Sequence, residues 1–171
     1  MTPSVQSAAI DSRFSDPAAG PTPWPDVARV LEEAEVYWLT TVRRDGRPHV
    51  TPLIGLAEGP IVHFCTGLHE QKARNLEHSP RVALTTGVNV WARGLDVVVE
   101  GTAVRVTDPE ELQRLADAYE AKYGSVWHFD VADGGFRSHS GLAGVFKIAP
   151  AKILAFAKDP HAQTTYRFQG A

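Results

Sequence analysis

The spacing of the first three predicted strands most limits the fold of this chain. β-branched and aromatic residues fill residues 36–42, and the turn signal Asp45–Gly46 precedes a return strand over residues 47–58. Gly59–Pro60 marks a second turn, and residues 61–66 predict a third strand. Such short connections join only antiparallel strands, because a parallel pair needs a crossover of about a dozen residues or more. The pattern therefore predicts an antiparallel meander.

The rest of the chain adds helices and further strands. Apolar residues at helical spacing predict a short helix from Trp24 and a longer one from Pro109 to Tyr123, capped by Asp108 and stopped by Gly124. A polar stretch, residues 67–79, is compatible with a third helix, and residues 129–141 read as a loop. Further strands are predicted over 81–90, 96–106, 144–148, 152–158 and 164–168. Because the helices interrupt the strands rather than alternate with them, the pattern favours a mainly β, barrel-like fold with peripheral helices, with a two-layer α+β sandwich as the alternative.

Length and composition indicate one domain and exclude several classes of protein. The chain has 171 residues, of which 22–171 fit a single domain, while residues 1–21 are poor in bulky apolar side chains and predict a flexible arm. A net charge of −3 gives no electrostatic basis for binding nucleic acid or an anionic membrane. Cys65 is the single cysteine, so an intramolecular disulfide is excluded. Since the N-terminus lacks the pattern of a signal peptide, we expect a cytoplasmic protein.

Familiar catalytic motifs are absent from the sequence. It contains no dinucleotide-binding glycine motif, no Walker loop, no zinc-protease motif and no nucleophile elbow. The seven histidines show no ligand spacing, so no metal site is predicted. Ser138–His139–Ser140 lies in the predicted loop, but neighbours in sequence do not make a catalytic triad. No catalytic residue is therefore predicted.

Two segments do suggest a ligand site. At residues 64–76 a strand leads through a glycine turn into a helix, where the Thr66 hydroxyl, the helix N–H groups and Lys72 would suit a phosphate, although a solvated basic helix face is the commoner explanation. In the second strand, Pro52 cannot donate a ladder hydrogen bond and implies an edge, a bulge or a break. The backbone near Val50 and Thr51 is then open to pair with a flat heterocycle, unless it is a plain sheet edge.

These segments together resemble the pyridoxamine-phosphate-oxidase-like, flavin-binding split-barrel superfamily. The resemblance is carried by residues 41–52, 72–76 and 80–82, then by Trp91 and residues 97–103, and by the end of the helix at 118–124. It extends over about residues 24–168. It implies a six-stranded antiparallel split barrel of Greek-key type that forms a homodimer, with the cofactor at the dimer interface.

The resemblance also assigns candidate site residues. It implies that the cofactor ring lies along the second strand, that the phosphate is held where the third strand meets the next helix, and that a C-terminal basic residue reaches the partner's site. The candidate cofactor-binding residues are His49, Val50, Thr51, Pro52, Phe64, Cys65, Thr66, Gln71, Lys72, Asn75, Trp91 and Arg167.

Departures from the family pattern narrow the expected activity. Gln71, Thr51 and Leu56 stand where true pyridoxamine-phosphate oxidases carry basic residues, so we do not expect that oxidation. We expect an FMN-dependent oxidoreductase acting on a small molecule. One alternative is a reductase using a deazaflavin (coenzyme F-420), although Glu70 replaces a basic residue usual in such relatives. Another is a non-catalytic carrier or sensor of flavin, haem or pigment, for which His49, His63 and His69 lie closest to the predicted groove.

Overall fold

The computed structural model describes residues 5–138 and 141–168, with Ser138 described by its backbone alone. Within these residues the protein is mainly β, with all strand pairs antiparallel and three α helices at the periphery. The helices are α1 (Trp24–Glu33), α2 (Gln71–His78) and α3 (Pro109–Tyr123). The strands are β1 (Val5–Ile10), β2 (Tyr37–Val42), β3 (Pro48–Leu53), β4 (Gly55–Glu58), β5 (Ile61–Gly67), β6 (Arg81–Thr86), β7 (Leu95–Val106), β8 (Asp130–Ala132), β9 (Gly135–Ser138), β10 (Gly141–Lys158) and β11 (His161–Phe168).

The long strand β10 organises the sheet. It spans 18 residues and pairs with β7 along most of its length. Its first half also pairs with β5, and its second half pairs with β11. The register shifts between Pro150 and Lys152, because Pro150 has no N–H to donate to the ladder. At this bulge β10 keeps β7 as its neighbour on one edge and exchanges β5 for β11 on the other.

The main path of the sheet runs β1-β11-β10-β7-β6-β2-β3, so β3 is an edge strand. In the described residues β3 pairs only with β2, in a register that sets Pro52 opposite Trp38. The edge position predicted from Pro52 is thus confirmed. The hairpin before β3 is longer than a two-residue turn: Arg43 N–H donates to Arg47 O at 2.9 Å, and only Gly46 has positive φ, at 84°.

Two clusters of buried side chains form the core. The larger one fills the space between the sheet and α1, with Leu31, Tyr37 and Phe64 among its fully buried members. The second lies beneath α3 and includes Leu115 and Tyr119. α3 begins as predicted, since the Asp108 carboxylate accepts a hydrogen bond from Glu111 N–H at 2.8 Å.

Three sequence predictions are corrected. The flexible arm predicted over residues 1–21 is wrong for Val5–Ile10, which pairs with β11 as β1. Its small side chains bury little surface, and the order comes from backbone pairing with a distant strand. The loop predicted over 129–141 contains the hairpin of β8 and β9, turning at Asp133 and Gly134 with φ of 51° and 68°. The strands predicted over 144–148 and 152–158 are one bulged strand, β10.

The prediction of a mainly β chain with peripheral helices is confirmed. The six-stranded split barrel of Greek-key type and the homodimer stay predictions. His139 and Ser140 of the serine–histidine triplet lie outside the described residues. None of the helices within residues 5–138 and 141–168 has both the length and the apolar character needed to cross a membrane.

Candidate functional site

A groove of about 550 Å³ lies beside the edge of β3. We call it the β3 groove. Five parts of the chain form it: the residue before β2, the end of β3, the end of β5 with the start of α2, the segment after α3, and the beginning of β10. Its lining residues are Val36, Pro52, Leu53, Ile54, Cys65, Thr66, Gly67, Glu70, Lys72, Val126, Trp127, Phe129 and Ala143.

One end of the groove is polar. We call Thr66, Gly67, Glu70 and Lys72 the polar corner. The Glu70 carboxylate accepts a hydrogen bond from Gly67 N–H at 2.9 Å and another from Lys72 Nζ. The Lys72 side chain is mostly buried, with 11% of its surface exposed. Burial alone would raise the pKa of Glu70, but the hydrogen bonds from Lys72 and Gly67, with a smaller one from Thr66, outweigh it and lower that pKa. Glu70 is therefore a carboxylate anion at neutral pH.

The rest of the groove is apolar and partly aromatic. Leu53 and Ile54 line it at the end of β3, and Trp127 and Phe129, here called the aromatic wall, line it from the segment after α3. The Trp127 and Phe129 rings are 6.2 Å apart, and Phe129 stacks on buried Phe136 at 4.8 Å. This stacking fixes the aromatic wall from behind. A mostly apolar groove with polar residues at one end suits a ring system that carries a polar tail.

The inner face of β3 carries polar atoms that lack partners. His49, Thr51 and Leu53 alternate along one face, and Leu53 lines the groove. Among the described residues, buried His49 Nδ1 and Thr51 Oγ1 have no hydrogen-bond partner. Burial, together with the cations Arg43 and Lys72, lowers the pKa of His49 below its usual value. Neutral imidazole is thus the favoured form beside the groove.

Cys65 lines the groove but is not activated as a nucleophile. Burial raises the pKa of its thiol to about 12, with the Glu70 carboxylate adding to the effect. The thiol stays protonated at neutral pH. This agrees with reading Cys65 as a small apolar residue of the strand. In the described part of the chain, no group of three or more potential metal ligands is found.

The structure brings four of the predicted site residues together in the groove: Pro52, Cys65, Thr66 and Lys72. His49 and Thr51 precede Pro52 on β3 and are not among the lining residues of the groove. Val50 points to the face opposite that of His49 and Thr51 and is 52% exposed. Of the predicted β3 residues, Pro52 alone therefore shares the groove with the polar corner.

Phe64, Gln71 and Asn75 are engaged elsewhere. Phe64 is fully buried and stacks on Phe146 at 5.3 Å, because β5 is buried on both faces. Asn75 is also buried; it donates to Thr41 Oγ1 at 2.9 Å and accepts from Gln71 Nε2 at 2.8 Å. Phe64 and Asn75 are buried and neither lines the β3 groove, so their assignment to cofactor contact stays a prediction.

Trp91 and Arg167 lie apart from the polar corner. Trp91 is 91% exposed and lines a second, larger depression of about 1140 Å³, together with Val36 and Trp38. Arg167 is exposed on β11 and faces a shallow depression next to β1. Neither contacts the β3 groove within one chain. Their predicted roles depend on a second subunit.

Sequence reasoning missed the aromatic wall. Trp127 and Phe129 are about 75 residues from β3 in sequence and reach the groove because α3 carries the chain back across it. The available signal was a pair of aromatic residues in a segment otherwise rich in glycine and polar residues. The sequence shows Glu70 only as an acidic residue in place of a basic one, and it does not predict the bond from Gly67 N–H to the Glu70 carboxylate.

These features define the class of protein: a mainly β, antiparallel domain with peripheral helices and a groove beside an edge strand. Within that class, the family model described as pyridoxamine 5'-phosphate oxidase matches residues 24–157. The chain belongs to this family, which confirms the resemblance seen in the sequence.

Solved structures agree on the fold. Rv2991, a conserved hypothetical protein of Mycobacterium tuberculosis, is 21% identical with a TM-score of 0.65, covering 80% of this chain and 86% of its own. A FAD-binding protein of Mesorhizobium loti is 18% identical with a TM-score of 0.58, covering 85% and 94%. HutZ, the haem storage protein of Vibrio cholerae, is 18% identical with a TM-score of 0.60, covering 78% and 93%. Identities this low show a shared fold. No curated protein matches the chain.

Proposed function

We propose that this chain is a flavin-dependent oxidoreductase that holds the flavin ring in the β3 groove and acts on a small molecule as a homodimer. The observation that carries the proposal is the groove itself, which runs between an edge strand and an aromatic wall. Membership of the pyridoxamine 5'-phosphate oxidase family and the likeness to a FAD-binding protein support a flavin.

The groove suits the flavin ring in two respects. Its apolar walls at Leu53, Ile54 and Trp127 match the apolar faces of an isoalloxazine ring, and Trp127 can stack on it. The edge of β3 that faces away from β2 offers backbone N–H and C=O groups of the kind that the ring's imide end would need. A bound flavin supplies hydride transfer. The protein's part is to bind and orient the ring and to exclude water from its apolar face.

The phosphate of FMN fits less well. Lys72 and Gly67 N–H are the donors expected for a phosphate, and both already bond to Glu70. The ring part of FMN is therefore favoured by the groove, while the phosphate part has no ready site at the polar corner.

A second copy of the chain is the partner we propose. Trp38 and Trp91 expose 50% and 91% of their surfaces, which is unusual for large apolar side chains. Val36 lies beside them and also lines the β3 groove, so the exposed apolar surface continues into the site. A twofold interface over this surface would cover the tryptophans and close one side of the groove.

Titration tests the proposed cofactor. Purified apoprotein is titrated with riboflavin, FMN and a deazaflavin, and binding is followed by absorbance and by flavin fluorescence. Trp127→Ala should weaken flavin binding by about threefold to tenfold through lost stacking. Phe14→Ala is the control, since Phe14 is 55% exposed and lines no part of the groove. Absence of flavin binding, or equal losses in both variants, would contradict the proposal.

Turnover separates an enzyme from a carrier. Flavin-loaded protein is mixed with a reduced nicotinamide and an artificial electron acceptor, and repeated oxidation of the nicotinamide is measured. Free flavin at the same concentration is the control. Binding with no turnover beyond that of free flavin would leave a carrier or sensor.

Haem carriage is the second candidate function. Two observations favour it: the likeness to a haem storage protein, and the neutral form favoured for the half-buried imidazole of His49 on β3. Neutral imidazole is the form that ligates haem iron. Haem titration of the parent and of His49→Ala, followed in the Soret band, tests this role. An unchanged spectrum on addition of haem would refute it.

A further inference from the structure

The polar corner already contains an anion, and that anion belongs to the chain. Glu70 is the residue just before α2, and its side chain turns back so that one oxygen accepts from Gly67 N–H at 2.9 Å. The other oxygen accepts from Lys72 Nζ. A backbone N–H, a lysine and the nearby Thr66 hydroxyl are the kinds of donor that hold a phosphate. Here they surround a carboxylate.

A phosphate brought to this corner meets two obstacles. It would have to displace Glu70 from Gly67 N–H, which has a single proton to donate, and it would share Lys72 with a carboxylate that already balances the charge of the ammonium. It would also approach a fixed negative charge, since the hydrogen bonds keep the Glu70 pKa low. Lys72 and Glu70 together contribute no net charge to attract the phosphate.

We propose that Glu70 is a specificity-determining residue: its carboxylate fills the phosphate position of the polar corner, so that the β3 groove selects a flavin by its ring and not by its phosphate. The inference rests on the proposed function. It narrows the proposed cofactor to a flavin that binds through its ring and does not need a terminal phosphate. Riboflavin and FMN bind this chain with affinities within about threefold of each other.

Glu70→Gln is the informative variant. Glutamine has nearly the same size, and its amide oxygen can still accept from Gly67 N–H, but it removes the charge and releases Lys72. A phosphate then gains the lysine as a partner, and we expect FMN to bind at least tenfold more tightly than to the parent. Riboflavin affinity stays unchanged. Glu77→Gln is the matched control, since Glu77 is an exposed residue of the same helix and lines no part of the β3 groove.

The experiment measures dissociation constants for FMN and riboflavin by calorimetry, in the parent and both variants. The proposal is supported if the riboflavin dissociation constant divided by that of FMN is near one in the parent and rises about tenfold in Glu70→Gln alone. The proposal is overturned if the parent already prefers FMN by tenfold or more, or if Glu70→Gln leaves the ratio unchanged.

A second measurement does not depend on flavin. Inorganic phosphate is added to each protein, and the melting temperature is compared with that in chloride of equal ionic strength. We expect phosphate to stabilise Glu70→Gln and to leave the parent and Glu77→Gln unaffected. If no variant binds any flavin, the proposed function fails, while the phosphate measurement still decides the role of Glu70: equal behaviour of all three proteins overturns it.

Discussion

Lys122 joins three parts of the fold: its own helix α3, the end of α1 and the start of β4. It lies in the last turn of α3, and its ammonium donates to Glu32 O at 3.0 Å, Ala34 O at 2.7 Å and Gly55 O at 3.3 Å. Glu32 and Ala34 end α1, so the lysine satisfies carbonyls that have no partner within that helix. The segment it holds continues to Val36 in the groove. Replacing Lys122 by methionine keeps the aliphatic stem and removes all three hydrogen bonds.

The expected loss follows from those contacts. Hydrogen bonds to a charged group contribute about 1.5–3 kcal/mol each, but water replaces part of them on the exposed side, so we expect Lys122→Met to lower the free energy of unfolding by about 2–4 kcal/mol. The ammonium also lies 5.6 Å from the Tyr37 ring and 5.3 Å from the Tyr123 ring, which adds to the loss. Urea unfolding followed by tryptophan fluorescence measures the change at constant m-value.

Lys152→Met is the control for this experiment. Lys152 forms a single surface ion pair with Glu100 at 2.8 Å, and such pairs contribute about 1 kcal/mol or less. If Lys122→Met costs no more than Lys152→Met, the three hydrogen bonds do not hold α1 to α3, and the reasoning fails.

Three further predictions concern pH, packing and assembly. Burial lowers the pKa of His63 below its usual 6.5. Below about pH 6.5 the unfolded chain therefore binds a proton that the folded chain does not, and the free energy of unfolding falls by up to about 1.4 kcal/mol per pH unit. We expect His63→Gln to lose less stability than the parent between pH 7.5 and pH 5.5, as measured by unfolding curves. Gly101→Ala places a Cβ 2.2 Å from Ala149 O at the β10 bulge, so we expect it to lower the free energy of unfolding by about 3 kcal/mol or more. Gly20→Ala meets nothing within 4 Å and is nearly neutral, and thermal unfolding compares the two variants. Trp91→Ser shifts the solution mass, measured by light scattering, from dimer toward monomer.

Each of these has a contrary result. An acid slope that is the same in the parent and His63→Gln would assign the loss to other groups. Equal melting temperatures for the two alanine variants would show that the sheet yields at the bulge. A monomeric parent, or a Trp91→Ser protein that remains fully dimeric, would remove the exposed tryptophan from the proposed interface.

Local signals predicted the fold well where several of them agree. For α3, the Asp108 cap, the proline in the first turn, the apolar spacing and the stop at Gly124 all indicate the same helix, and its observed bounds are Pro109–Tyr123. β1 had no such agreement. Its order comes from pairing with β11, more than 150 residues away, and composition carries no record of that contact. The same reason explains the β8–β9 hairpin, whose partner is β10.

The candidate site divides in the same way. Pro52 and residues 65–72 could be predicted because each signal lies within one short segment. The wall of Trp127 and Phe129 could not, since it depends on how α3 packs on the sheet. Phe64 does not line the groove because β5 is buried on both faces, and burial of a strand on both faces depends on contacts with distant parts of the chain.

The two roles of Glu70 can be separated. Its bond to Gly67 N–H spans three residues and is paired with a return bond from Glu70 N–H to Gly67 O at 3.0 Å, so the residue also stabilises the turn before α2. A purely structural role requires an acceptor atom, and the proposed selectivity requires a negative charge. Glu70→Gln keeps the acceptor for Gly67 N–H and loses only the ion pair with Lys72, whereas Glu70→Ala loses both and should cost about 0.5–2 kcal/mol more. If FMN selectivity changes in Glu70→Gln and Glu70→Ala alike, the charge acts on the cofactor; if selectivity stays as in the parent in both variants and only stability falls, Glu70 serves the turn alone.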